Sequence, residues 1–187
     1  MSVVTTYNEW SRKIRESDEK AFHELFMESY NPLLRYANTF IKDSDAVKDI
    51  LQEVYAHLWQ IRERIDMEKS LKALLYKMTK NRCINYLRAQ QSIRLDELAP
   101  AEQPTVEMDS GEIDPDADSE LERSLSVWIE QLPARQREAF ELSRFEGLDH
   151  HEIADFMDCA PRTVNNHIVN ALKTLRAKLD ESQRTES

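Results

Sequence analysis

The stretch "GLDHHEIADFMDCAPRTVNNHIVNALKTLRAKL", Gly147–Leu179, contains a helix, a break and a longer helix. Gly147 suits the left-handed end of a preceding helix. Asp149, with Glu152 three residues on, makes a capping-box pattern, and Ile153, Ala154 and Met157 supply an apolar stripe. Asp158–Ala160 forms the turn, and Pro161 stands at a first helical position, where its missing N–H is harmless. Val164, Ile168, Leu172, Leu175 and Leu179 then recur at helical spacing and predict one core seam. Opposite that seam lie Arg162, Asn166, Asn170 and Lys173, with Thr163 and Asn165 flanking the start. Amide side chains suit base edges, and Arg and Lys suit guanine or phosphate, which is what a major-groove face requires. Glu146–Asp158 carries five acids and no Lys or Arg, so the last helix must lead any approach to DNA. A helical hairpin with a merely polar outer face is the other reading of this pattern.

Upstream, Leu125, Trp128, Ile129 and Leu132 share one helical face that ends before Pro133. A further helix follows, with Ala139, Phe140, Leu142 and Phe145 apolar. With only two glycines in 187 residues and abundant Leu, Glu, Ala, Arg and Lys, the composition favours helix throughout. No apolar run approaches the ~20 residues of a membrane span. The start "MSVVTTYNEWSRK" lacks the layout of a signal peptide, so a cytoplasmic location is expected. Cys83 and Cys159 are widely separated and lack a C-x-x-C partner, so neither disulfide, metal site nor cofactor is expected.

The net charge of -10 looks hostile to DNA, but it is localised. Leu95–Glu122 holds eleven acids and no base, so the rest of the chain carries +1, the difference between -10 and -11. That stretch also holds three of the six prolines and shows no sustained period, as expected of a flexible acidic linker. A plain spacer and a mimic of nucleic-acid charge both fit it. The predicted architecture is all-α: two small helical domains, residues 6–94 and 119–181, joined by an acidic linker over 95–118.

In "DSDAVKDILQEVYAHLWQ", Val47, Ile50, Leu51, Val54 and Leu58 form an apolar stripe with Tyr55 at its edge. Asp45, Asp49, Gln52, Glu53 and Gln60 gather opposite, with small Ala56 among them and only Lys48 at the margin. Such a strip suits docking on a basic partner helix, and an ordinary solvated face is the alternative. The following stretch inverts the charge: Lys69–Arg94 has seven basic residues and no acid. Leu71, Leu74, Leu75, Met78 and Leu87 should pack inward. Lys69, Lys72, Lys77, Lys80, Arg82 and Arg88 alternate with Tyr76, Tyr86, Asn81 and Asn85. Cations for phosphate, aromatics for unpaired bases and amides for base edges describe single-strand binding. A basic surface helix with core tyrosines is the other possibility, and Asn81 is expected to be partly buried.

An acidic docking helix, a basic aromatic helix, a tether and a helix-turn-helix, in that order, resemble the extracytoplasmic-function sigma factors of bacterial RNA polymerase. "AFHELFMESYNPLLRYANTFIKDSDAVKDILQEVYAHLWQ" is similar to the family's first conserved region and polymerase-binding helix, and "SLKALLYKMTKNRCINYLRAQ" to its promoter-melting region. "LPARQREAFELSRFEGLDHHEIADFMDCAPRTVNNHIVNALKTLR" is similar to its fourth region. The resemblance implies that Asp45, Asp49, Gln52 and Glu53 meet the clamp helices of the polymerase's largest subunit. It implies that the loop around residues 65–70 and the basic helix capture the melted minus-ten element, through Lys69, Lys72, Tyr76, Lys77, Lys80, Asn81, Arg82, Asn85 and Arg88. Arg162, Thr163, Asn165, Asn166, Asn170 and Lys173 would meet the minus-thirty-five element. An anti-sigma factor is an implied partner, and insertion into a membrane is not. Two positions depart from the family pattern. Ala160 stands where a capping Ser is common, and Asn85 where an acid is common.

Two other functions compete with this one. A free-standing helix-turn-helix regulator leaves the Asp45–Gln60 strip and the basic helix unexplained. A hydrolase or metal enzyme built on His150, His151 and Glu152 lacks the i, i+4 histidine pair of a zincin, and no Ser/His/Asp or P-loop pattern appears.

Overall fold

The computed structural model describes residues 6–97 and 120–185. Among them are eight α-helices, one 3-10 turn and no strand. The linker expected over 95–118 lies almost entirely outside the described residues. The chain divides into two compact units, Met1–Asp109 and Ser110–Ser187.

Unit 1 comprises α1 (Tyr7–Arg15), α2 (Glu19–Asn38), α3 (Ser44–Ile61), a 3-10 turn (Arg62–Arg64) and α4 (Leu71–Glu97). The first three helices begin where a side-chain oxygen can take up orphan amides. Thr6 and Glu9 form a reciprocal capping box on α1. The Asp18 carboxylate accepts from Lys20 and Ala21 at 3.0 Å each, and Asp43 does the same for Asp45 and Ala46 at 3.0 and 3.2 Å. Each such cap contributes about 1 kcal/mol. The stripe expected on α3 is buried: Val47, Ile50, Leu51, Val54 and Leu58 face a core shared with Leu25 and Leu33 of α2 and Leu71 and Leu75 of α4. Tyr55 goes in with them because its hydroxyl has a partner. It lies 2.7 Å from Ser29 Oγ, which also bonds the Leu25 carbonyl. Burial raises its ionisation well above the ordinary phenol range.

One joint in unit 1 has no sequence signature. Ser17, between α1 and α2, adopts a left-handed backbone with φ 64°. Arg62 Nε donates to its hydroxyl at 2.8 Å, Nη1 donates to the Trp59 carbonyl at 2.7 Å, and the guanidinium sits 4.6 Å from the Trp59 ring centroid. A single side chain thus fastens the α1–α2 turn to the end of α3.

Unit 2 comprises α5 (Glu120–Glu130), α6 (Ala134–Arg144), α7 (His150–Met157) and α8 (Pro161–Thr185), with α8 packed on the other three. The predicted punctuation holds. Gly147 has φ +62°, Asp149 and Glu152 form a capping box, and α8 starts at Pro161. Asp158 closes α7 in a left-handed conformation, φ 51°. The seam of α8 differs from expectation. It runs Val164, Ile168, Ala171 and Leu175; Ala171 is fully buried, whereas Leu172 is 40% exposed. At 100° per residue Ala171 falls within the stripe set by its neighbours, and Leu172 falls at its edge. Phe145, expected in the core of α6, is 64% exposed, because it lies one residue past the helix end; its ring meets Phe140 edge-on. Leu125 is likewise exposed.

Glu141, on α6, is half-buried, and its carboxyl is held above the usual range. Burial is the largest cause, followed by relief from Arg137 and repulsion from Glu138, Glu130 and Glu146. A carboxyl raised on folding binds its proton more tightly in the native state. Its favourable contribution is therefore complete below the unfolded value and is lost as pH rises through the folded one. Glu141→Gln should consequently raise the thermal midpoint of unit 2 near neutral pH, with the gain shrinking towards pH ~4; circular dichroism melts across pH read this directly.

Candidate functional site

Three charged faces emerge, each placed by the apolar stripe behind it. On α3, turning Val47, Leu51, Val54 and Leu58 inward leaves Asp45, Asp49, Gln52, Glu53, Ala56 and Gln60 exposed on the opposite side. Two of the strip's three carboxylates already have cationic neighbours. Lys48 Nζ is 3.1 Å from Asp45 Oδ1, and Arg82 Nη1 of α4 is 2.6 Å from Glu53 Oε2. The first pair lies within one helix turn; the second spans 29 residues and is invisible in sequence.

On α4 the basic residues are presented unevenly. Lys69, just before the helix, and Asn81, Asn85 and Arg88 are exposed, while Lys72, Lys77, Lys80, Arg82 and Tyr86 are half-buried. Tyr86 accepts a bond from Gln90 Nε2 at 3.0 Å. Tyr76 does not belong to this face. It is 2% exposed, with its ring 4.9 Å from that of Tyr36 in the core, and cannot stack on a base. Asn81, expected to be partly buried, is on the surface instead. The inward positions between them are taken by Thr79, whose hydroxyl bonds the Leu75 carbonyl at 2.9 Å, and by Cys83. Burial pushes the Cys83 thiol up to about 12, which leaves it protonated and inert.

The connection from the 3-10 turn to α4 is fixed at both ends. Ile65 is buried; Asp66 Oδ1 accepts from the Glu68 amide at 3.0 Å, and Ser70 Oγ from the Ala73 amide at 3.2 Å. Between these anchors Met67 stays exposed and its sulfur lies 3.5 Å from Ser11 Oγ of α1. The result is a shaped loop beside the start of the basic helix.

On α8, Arg162, Thr163, Asn165, Asn166, Asn170 and Lys173 are all exposed, opposite the Val164–Leu175 seam. The two acids at the start of α7, Asp149 and Glu152, are committed to its capping box. At Ala160 only the backbone carbonyl serves the helix start, accepting from Thr163 and Val164. His150 and His151 are exposed in the first turn of α7, and no cluster of metal-ligating side chains occurs among the described residues.

One feature was missed in sequence. An apolar groove of about 530 Å³ opens between α5, α6 and α8, floored by Trp128 and Phe140 and edged by Leu125, Val169 and Leu172, with Lys173 and Arg176 at its rim. Its signal was the extra breadth of the α8 stripe, where Val169 and Leu172 extend beyond what one core seam needs.

If Tyr76 is a core residue, Tyr76→Ala should destabilise unit 1 by about 3–5 kcal/mol. Asn85→Ala, on the exposed face, should change stability by less than about 0.5 kcal/mol. Urea unfolding midpoints at unchanged m distinguish the two.

Both units match known protein families. The chain matches the family described as "Sigma-70 region 2" over residues 25–93 and "Sigma-70, region 4" over residues 123–175. It is 29% identical over 174 residues to the ECF RNA polymerase sigma-E factor of Haemophilus influenzae, covering 89% of this chain and 92% of that one. It is also 29% identical over 146 residues to the RNA polymerase sigma factor SigV of Bacillus subtilis, covering 78% and 82%. Among solved structures, CnrH in complex with the cytosolic domain of CnrY superposes with a TM-score of 0.60 at 19% identity, over 94% of this chain and 97% of that one. RpoE of Bartonella quintana in complex with the anti-sigma factor NepR gives 0.56 at 21% identity, over 86% and 98%. At these identities the structural likeness speaks for the fold alone.

Proposed function

The chain belongs to the sigma-70 family, as an extracytoplasmic-function RNA polymerase sigma factor, and from that premise we propose how its exposed faces divide the work. A sigma factor binds core RNA polymerase and directs promoter recognition and transcription initiation. In this chain, Asp45, Asp49, Gln52 and Glu53 dock on the clamp helices of the polymerase's largest subunit. Lys69, Lys72, Lys77, Lys80, Asn81, Arg82, Asn85 and Arg88, with the loop over residues 65–70, hold the melted minus-ten strand. Arg162, Thr163, Asn165, Asn166, Asn170 and Lys173 read the minus-thirty-five element in the major groove. Residues 6–94 and 119–181 are the working domains, and 95–118 is their acidic tether.

The observation that carries this reading is the sorting of charge. Acids, cations and amides occupy the exposed faces of three different helices, and each set lies opposite a buried stripe. A free-standing helix-turn-helix regulator accounts for α7 and α8 but leaves the faces of α3 and α4 without a purpose. The proposed role is stoichiometric rather than catalytic, and cytoplasmic, where polymerase is. No described helix is long and apolar enough to cross a membrane. Because the solved relatives CnrH and RpoE carry bound partners, an anti-sigma factor is the third partner proposed here.

Each domain offers few base contacts, so each alone holds DNA weakly. Docking both on one enzyme makes the second contact effectively intramolecular. Run-off transcription with core polymerase and the DNA upstream of the chain's own operon tests the scheme. Asp49→Arg should lower core binding and transcript yield roughly tenfold or more while the thermal midpoint stays unchanged. Asn166→Ala should leave core binding intact and relax the choice of base at one minus-thirty-five position. Absence of any association between the wild-type chain and core, at low salt as well as high, overturns the reading.

A further inference from the structure

An ion pair between two helices of unit 1 joins two of the proposed binding faces. Arg82 Nη1 donates to Glu53 Oε2 at 2.6 Å; both side chains remain open to solvent, with 41% and 59% of their surface exposed. Glu53 is the α4-facing member of the acidic strip on α3, and Arg82 is a cation of the nucleic-acid face on α4. Neither group can serve its own partner fully while it holds the other. A guanidinium held by a carboxylate has one of its N–H donors committed and its charge partly neutralised towards a phosphate. The carboxylate is likewise partly neutralised towards a cationic helix.

We propose that the Glu53–Arg82 pair couples polymerase docking to capture of the single strand. In the free chain the pair masks Arg82 and lowers affinity for single-stranded nucleic acid. When a cation of the polymerase takes Glu53, Arg82 is released towards the phosphates. Linkage makes the effect mutual: whatever draws Glu53 away from Arg82 strengthens the DNA contact, and whatever draws Arg82 away strengthens docking by the same factor. This rests on the assignment of the two faces above. Lys48–Asp45, the strip's other pair, cannot act this way, because both members belong to α3. An exposed ion pair masks a charge by up to roughly fivefold, so the coupling trims stray binding rather than switching it off.

Two measurements on the full-length chain test this. The first is fluorescence anisotropy with a labelled oligothymidylate at low salt. Glu53→Gln should tighten binding by roughly two- to fivefold and steepen the salt dependence by up to about 0.7 in log–log slope, the value of one extra single-strand phosphate contact. Asp49→Asn removes the same charge one turn away and should tighten binding less. In an Arg82→Gln background, Glu53→Gln should do no more than Asp49→Asn. Equal effects of Glu53→Gln and Asp49→Asn in the parent chain overturn the coupling, as does an effect of Glu53→Gln that survives loss of Arg82.

The second measurement uses no DNA. Arg82→Gln should strengthen the hold on core polymerase by up to roughly fivefold, because it frees Glu53. Unchanged or weaker binding overturns the proposal. The two arms separate failure of the coupling from failure of the surface assignment. If no form of the chain binds the oligonucleotide while Arg82→Gln still tightens docking, the single-strand role of α4 is wrong and the competition for Glu53 stands.

Discussion

The inward turn of one face of α3 is the constraint on which unit 1 depends. Val47, Leu51, Val54 and Leu58 are fully buried, and a helix that buries one stripe has no freedom left in where its other residues point. Asp45, Asp49, Gln52 and Glu53 stand on the far side because the core requires it. The same reasoning places the amide and cation face of α8, which is set by Val164, Ile168, Ala171 and Leu175. In this molecule the exposed polar faces are the complement of the packing surfaces, and a substitution that disturbs a seam also re-aims the face opposite.

That dependence explains what could be read from sequence and what could not. Local chemistry was legible. The Asp149–Glu152 capping box, the left-handed Gly147 and the start of α8 at Pro161 all follow from residues within a turn of one another. The α3 stripe and the exposed face of α8 followed from period alone. Position at the edge of a stripe was not legible. Leu172 and Ala171 sit side by side, and a spacing of four or three residues fits the pattern almost equally well. Side-chain size argued for Leu172, whereas the angle around the helix puts Ala171 inside. Tyr76 failed for a related reason. Among so many lysines an aromatic looks like a stacking platform, but its ring finds Tyr36 across the core. Contacts between distant segments, such as Glu53 with Arg82 and Arg62 with Ser17, leave no trace in local spacing.

The acidity that seemed to argue against DNA binding is confined to a stretch between the working domains. Removing it from the account leaves a chain close to neutral whose charges are arranged by helix. Such an arrangement favours orientation over brute attraction. A uniformly basic protein would adhere to any nucleic acid, whereas this one mixes its cations with acids along the chain and balances Arg82 of α4 against Glu53 of α3. On the proposed assignment of the faces, selectivity comes from how many are engaged at once rather than from the strength of any one.

The joint made by Arg62 carries a different implication. The helix caps built on Asp18 and Asp43 each serve one helix start and accept only from backbone amides within a turn. The Arg62 guanidinium instead reaches across segments: it bonds the Ser17 hydroxyl and the Trp59 carbonyl, lies over the Trp59 ring and comes within 3.9 Å of Glu63 Oε1. The corner where three segments of the first unit meet thus hangs on several contacts of one side chain. Truncating that side chain would unlatch the corner while leaving each helix start capped.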